Sequence, residues 1–216
     1  MAQGSLTPVQ VAGGNSFDAV TAGGRHACGI TVDGGVRCWG WNFHGQLGNG
    51  TTVGQAIPVP VAVGRTFVGV SAGGRHSCAV DDGGTAWCWG SNDRGQLGAP
   101  AGAGSLAPVA VPAEARFVHV SAGEAHTCAL DDGGLAWCWG ANERAQLGLG
   151  TLEDSRQPRK VSLDLRFQHL SAGWTHTCGV SGGAAYCWGE GASGQLGYAG
   201  TAPKGNPTRV AGAFVD

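Results

Sequence analysis

Charge is scarce in this chain. Asp, Glu, Lys and Arg make up 13% of its 216 residues, and the formal net charge is −2. No run of basic residues occurs, so the electrostatic footprint of a nucleic-acid binder is missing. No apolar stretch approaches the roughly 18 residues of a membrane span. The opening MAQGSLTPVQVAGG has neither a charged n-region nor an apolar h-region, so no signal peptide is expected. No 3.6-residue apolar period persists, so helices should be rare. Neither "GGRH" nor "GNGTT" is followed by Gly-Lys-Ser/Thr, so neither is a phosphate loop. The cysteines lack the short Cys-x2-4-Cys knuckle of structural zinc sites. Glycine supplies 41 residues without a Gly-X-Y period, which excludes collagen. The glycines instead bracket short apolar runs, as turns between strands do.

What is present is repetition. His26, His76, His126 and His176 stand 50 residues apart. They lie in TAGGRHACGI, SAGGRHSCAV, SAGEAHTCAL and SAGWTHTCGV, followed by RCWG, WCWG, WCWG or YCWG, and then by GQLG, GQLG, AQLG and GQLG. Self-similarity at this period marks a solenoid, propeller or array. The units are expected at about 6–57, 58–107, 108–157 and 158–206, with a partial fifth at 207–216, in one continuous array. Positions that recur in every unit build a frame. Functional positions should be those at which the units differ.

Eight cysteines fall one pair to a unit: Cys28 with Cys38, Cys78 with Cys88, Cys128 with Cys138, and Cys178 with Cys187. Even, regular spacing argues for a disulfide framework formed in an oxidising compartment, extracellular or periplasmic. The alternative is eight small buried hydrophobes in a cytosolic protein. Within the second unit, Phe67–Gly73, His76–Val80 and Thr85–Gly90 read as strands, and Asp81–Gly84 as a tight turn. The run Pro58–Val61 reads as a fourth strand preceding them, confined to a sheet edge by its prolines. If Cys78 faces Cys88, three residues close the hairpin. If Cys178 faces Cys187, Gly182-Gly183 form a two-residue turn. The fold class is therefore all-β: four-stranded antiparallel blades, four units, forming a partial β-propeller or half of a dimeric ring. Trp39, Trp89, Trp139 and Trp188, with Arg37, Trp87, Trp137 and Tyr186 two residues earlier, are expected to fill the space between blades. The segment Thr7–Val11 matches the "NPTRV" near the end and should be a surplus edge strand.

The ordered elements Ser-Ala-Gly, His-x-Cys, Trp-Gly and Gly-Gln-Leu-Gly resemble the regulator of chromosome condensation repeat family, from about Leu6 to Val210. The resemblance implies a β-propeller with four-stranded blades, typically seven in full members, and protein binding. The paired cysteines look like the exported bacterial branch, which includes secreted propellers that inhibit β-lactamases. The eukaryotic founder promotes nucleotide exchange on a small GTPase. None of its contact residues is matched here, so that activity is not carried over.

Several tempting sites have simpler readings. The repeated histidines would lie too far apart in a wide ring to share one metal ion, so each is expected to bond a neighbouring turn. Asp81-Asp82 and Asp131-Asp132 precede Gly-Gly and read as turn chemistry rather than a carboxylate pair. Ser, His and Asp recur in every unit, unlike the unique geometry a triad needs, so no catalytic residue, metal or cofactor is expected. The units differ most after Trp-Gly and after Ser-Ala-Gly. Those positions supply the candidate binding residues Arg25, Trp41, Phe43, His44, Arg75, Arg94, Arg144 and Trp174, of the types that anchor interfaces. The leading expectation is a non-catalytic scaffold that binds another protein through one rim. A carbohydrate-binding module using Trp41 and Trp174 is the alternative, and a self-assembling tile that pairs into a two-fold ring is a third.

Overall fold

A computed structural model describes residues 5–100, 102–161 and 165–212. Among them no helix occurs, and sixteen strands form four separate four-stranded antiparallel sheets. Blade 1 contains β1 (Phe17–Ala22), β2 (His26–Thr31), β3 (Val36–Gly40) and β4 (Gln55–Pro60). Blade 2 contains β5 (Phe67–Ala72), β6 (His76–Asp81), β7 (Ala86–Ser91) and β8 (Gly104–Ala110). Blade 3 contains β9 (Phe117–Ala122), β10 (His126–Asp131), β11 (Ala136–Gly140) and β12 (Ser155–Lys160). Blade 4 contains β13 (His169–Ala172), β14 (His176–Ser181), β15 (Ala184–Gly189) and β16 (Lys204–Arg209). Strand order in each sheet follows the chain. Successive blades pack in sequence and leave the ring open.

Turn chemistry sets the central hairpin of each blade. In blade 2 the Asp81 N–H donates to Thr85 O at 3.0 Å, the Gly84 N–H donates to Asp81 O at 2.9 Å, and Gly84 has φ +84°. That left-handed last residue is what a three-residue hairpin loop requires, and glycine takes it without strain. Blade 4 is one residue shorter. Ser181 pairs with Ala184, and Gly182 and Gly183 have φ +57° and +76°, the two-residue turn expected of Gly-Gly. Both loop lengths keep the cysteines opposed. Cys28–Cys38, Cys78–Cys88, Cys128–Cys138 and Cys178–Cys187 are disulfide-bonded, with Cα atoms 4.0–4.1 Å apart. Such close approach belongs to the narrow, non-hydrogen-bonded sites of an antiparallel ladder.

Two elements differ from the sequence reading. The proline-bearing strand closes the blade before it: Pro60 pairs opposite Arg37, and β4 forms the sheet edge. It is an edge, as its prolines demand, but its ladder partner is the tryptophan strand that precedes it. Residues 7–11 form no strand. The tryptophan strand of blade 1 already has β4 as its partner, so that segment has no ladder to join.

The core lies between blades rather than within them. Three buried clusters fill the three seams. The first joins Cys28, Ile30, Cys38 and Leu47 of blade 1 to Phe67, Ala79 and Trp89 of blade 2. The second and third repeat this with Phe117 and Trp139, and with Phe167 and Trp188. Trp89, Trp139 and Trp188 are wholly buried, whereas Trp39, on a face that no other described blade covers, is half-buried. Stability is thus a sum of units and nearest-neighbour seams, as in other repeat arrays.

A polar chain threads each seam. The Ser77 hydroxyl donates to Gln46 O at 2.9 Å and lies 2.8 Å from His26 Nε2. Its single proton is spent on the carbonyl, so His26 Nε2–H is the donor to the hydroxyl. Thr127 stands between His76 and Gln96 in the same way, and Thr177 between His126 and Gln146. The same glutamine carbonyls accept the indole N–H of Trp89, Trp139 and Trp188 at 2.8–3.0 Å. These histidines therefore hold the next blade's strand, not a turn. Burial pushes His26 down to about 4, and His76 and His126 to about 3, so all three are neutral.

Candidate functional site

The positions at which the units differ come together on one end of the array. In each blade the turn between the first two strands and the long loop after the third lie at the same end of the antiparallel sheet. Backbone bonds join them: Trp41 N–H to Arg25 O, Ser91 N–H to Arg75 O, Ala141 N–H to Ala125 O and Glu190 N–H to Thr175 O, all at 2.9–3.0 Å. Each loop leaves its strand at a glycine with φ near +100°: Gly40, Gly90, Gly140 and Gly189. A Cβ at Gly40 would lie 2.8 Å from Arg25 O and from His26 Cα, so only glycine fits the sharp exit.

Two further residues brace the loops, and the sequence reading did not single them out. Asn42 is fully buried; its Oδ1 accepts Leu47 N–H at 2.9 Å, and its Nδ2 donates to Thr51 O and Val53 O. Asn92 and Asn142 do the same for blades 2 and 3. The glutamine side chains accept the N–H of His44, Arg94, Arg144 and Ser193 at 2.8–3.0 Å. Their signal was available: Gln46, Gln96, Gln146 and Gln195 recur in all four units, and the asparagine in three. The variable side chains therefore project from loops whose backbones are fixed.

The candidate residues separate into three groups. On blade 1, Trp41 and Phe43 stack with centroids 6.1 Å apart and planes 9° from parallel. His44 packs edge-on against both at 5.2–5.3 Å, and the Arg25 guanidinium lies 5.8 Å from the Trp41 ring. Phe43 is 69% exposed. Around the seams of blades 2 to 4, Arg94 makes a two-pronged contact with Asp154 at 2.6 and 3.0 Å and a further bond to Glu143 at 2.9 Å. Burial alone would raise the Asp154 carboxyl, but the Arg94 hydrogen bond and charge and the Asn142 N–H hold it below its ordinary value. The same bonds hold the Arg94 guanidinium above its own. Arg144 reaches Glu190 at 3.6 Å. These two arginines bridge neighbouring blades. Arg75 is exposed and lines a cavity of about 280 Å³ together with Arg94, Glu124, Glu143 and Thr175. Trp174 is 58% exposed at the edge of a shallow depression of about 270 Å³, lined by the Ala-Gly turns of all four blades.

The remaining titratable groups are built into the frame. Asp81 accepts Thr85 N–H at 2.8 Å and the Trp87 indole N–H at 2.9 Å, and Arg65 lies 3.3 Å away. Asp131 repeats the first two bonds with Leu135 and Trp137. Neither aspartate pairs with a second carboxylate. Among the described residues no three His, Cys, Asp or Glu side chains stand close enough to hold one metal ion. No described helix is long and apolar enough to cross a membrane.

Comparisons with known proteins address the family. The model of the regulator of chromosome condensation (RCC1) repeat matches residues 33–80, 83–130 and 133–180, and a second model of the same repeat matches 17–46, 67–96 and 117–146. No curated protein matches the chain. Among solved structures, human WBSCR16 is 22% identical with a TM-score of 0.86, covering 93% of this chain and 54% of its own. Yeast RCC1 (Prp20) bound to Kap60 is 22% identical with a TM-score of 0.83, covering 94% of this chain and 50% of its own. Prp20p from Saccharomyces cerevisiae, in a structure described with its binding properties to Gsp1p and histones, is 22% identical with a TM-score of 0.82 over 94% and 52%. The chain spans about half the length of each. At this identity the structures speak to fold alone, whereas the repeat models cover most of the sequence: the chain belongs to the regulator of chromosome condensation (RCC1) repeat family.

Proposed function

We propose that this chain is a non-catalytic β-propeller scaffold that binds another protein through the end carrying its long loops. The Arg25, Trp41, Phe43 and His44 cluster is the observation that carries this reading. It places a two-thirds-exposed aromatic ring and a cation on fixed backbone. The positions equivalent to Trp41 hold Ser91, Ala141 and Glu190, so the frame does not need an aromatic there. Exposed aromatic and arginine side chains on a rigid base are the usual anchors of an interface. Yeast RCC1, of the same fold, is seen bound to Kap60. Arg75 and Trp174, on the same end, would extend the contact, while Arg94 and Arg144 shape its rim. The four disulfides support an extracellular or periplasmic setting.

The test is selection of binding proteins from a displayed library, repeated against Trp41→Ala and Phe43→Ala. Partners that lose at least tenfold in affinity with both variants support the reading. Partners indifferent to both would move the interface elsewhere. A glycan array run in parallel decides for the carbohydrate alternative, if a glycan binds and Trp41→Ala or Trp174→Ala abolishes it.

A further inference from the structure

Each seam is made from two unlike faces. The forward face of a blade offers a β1-type hydroxyl, an imidazole, a glutamine carbonyl and an aliphatic side chain. The backward face of the next blade answers with an alanine N–H, a hydroxyl, an indole N–H and its own aliphatic. The backbone contacts are as regular as the others: Ala72, Ala122 and Ala172 N–H donate to Thr21, Ser71 and Ser121 at 2.9–3.3 Å. Inside the array these faces are covered, apart from a partly exposed Val70 on the backward face of blade 2. Ile30, Val80 and Leu130 on the forward faces are at most 6% exposed, and Val120 and Leu170 on backward faces are at most 4% exposed.

The two end faces break this rule. On the forward face of blade 4, Val180 is 39% exposed, and Ser171, His176 and Gln195 are partly or fully exposed. On the backward face of blade 1, Val20 is 65% exposed, and Phe17 and Trp39 are half-exposed. Apolar surface of this kind on a soluble chain marks an association site. One chain carries both halves of the seam, and each half continues an interface that the chain already makes three times.

We propose that the forward face of blade 4 docks the backward face of blade 1 from a second copy of this chain. Val180 then packs toward Phe17 and Val20. Trp39 N–H meets the Gln195 carbonyl, and Ala22 N–H meets Ser171. One link is missing. Where blades 2, 3 and 4 carry Ser77, Thr127 and Thr177, blade 1 carries Ala27, which offers His176 no acceptor. The seam between copies is therefore the same interface without its bridging hydroxyl, with the bond from the imidazole and the bond to the glutamine carbonyl both removed, and weaker than the three inside the chain. Association is head-to-tail. Two copies complete a ring if the curvature closes, and a longer series forms if it does not.

Sedimentation velocity of the oxidised chain over a range of concentrations tests this. The wild type should associate reversibly. Ala27→Ser restores the missing acceptor and should tighten association roughly tenfold. Val20→Asp and Val180→Asp should each abolish it. Both residues are exposed in the single chain, so thermal unfolding at low concentration should match the wild type and show that the variants fold. A wild type that stays at 21.7 kDa at every concentration reached overturns the proposal. So does association unchanged by Val20→Asp and Val180→Asp, or an Ala27→Ser chain that associates no better than the wild type.

Discussion

Acid should open the seams well before it reaches the carboxylates. His26, His76 and His126 are neutral in the folded chain, with values near 4, 3 and 3 against 6.5 for a free imidazole. The unfolded chain therefore takes up protons that the folded chain refuses. Their contribution to stability is fully present above about pH 6.5 and is lost as pH falls toward the folded values. At about pH 5 each free imidazole is protonated and each buried one is not, so each site costs about 2 kcal/mol. Together the three cost about 6 kcal/mol, comparable to the whole stability of many domains. His119 and His176, also held low by burial, act in the same direction. The depressed carboxyls of Asp33 and Asp154 are lost only below the carboxylate range and do not enter this window. Urea unfolding followed by tryptophan fluorescence, with disulfides intact, should show the midpoint falling steeply from about pH 7 to pH 5 at constant m-value. His76→Gln should reduce that pH slope by up to about a third, whatever it does to stability at pH 8. A flat profile between pH 7 and pH 5 would refute the placement of neutral histidines at the seams. So would an unchanged slope in His76→Gln.

Thr127→Val keeps the shape of the seam but leaves His76 Nε2–H without an acceptor, and should cost about 1–3 kcal/mol by urea titration. Trp139→Ala should cost about 3–5 kcal/mol, and Trp39→Ala clearly less, because only the former is wholly buried. Trp41→Ala should leave the unfolding midpoint nearly unchanged while weakening partner binding; a variant that unfolds would show that Trp41 belongs to the frame. Non-reducing peptide mapping should recover Cys28–Cys38, Cys78–Cys88, Cys128–Cys138 and Cys178–Cys187. Reduction should cost at most about 3 kcal/mol per bridge, since each closes a short loop.

The frame was legible because each structural need is met by the same residue at the same place in every unit. Cysteines ten residues apart predicted a hairpin, and the hairpin explains the one-residue deletion before Ala184. The edge character of Gln55–Pro60 followed from its prolines, but not its partner. Which neighbouring strand it joins depends on how the Asn42-braced loop folds back, and that is a tertiary matter. The histidines were expected to bond a neighbouring turn, but the acceptors of His26, His76 and His126 lie in the next unit, beyond the reach of any single-unit reading. The variable positions were found by comparison of the units. That Arg94 and Arg144 would be drawn into bridges with Asp154, Glu143 and Glu190 depended on blade spacing, which no pattern of residue types encodes. Asp81 and Asp131 were read as turn residues, and the structure adds their bonds to Trp87 and Trp137. Units 1 and 4 have Thr31 with Arg37 and Ser181 with Tyr186 instead, so carboxylate and indole occur together.

Every covalent cross-link lies inside a single hairpin, and none joins one blade to the next. Under a pulling force applied at the chain ends, seams and outer strands would therefore part in steps while four small stitched loops stayed shut. The oxidised chain should stop extending on the order of 120 Å short of the reduced one, at about 3.4 Å for each residue held inside a loop. Oxidation would leave the number of rupture events unchanged and shorten the tether. In this protein the disulfides limit how far the chain can be drawn out; what keeps the blades together is the non-covalent packing between them.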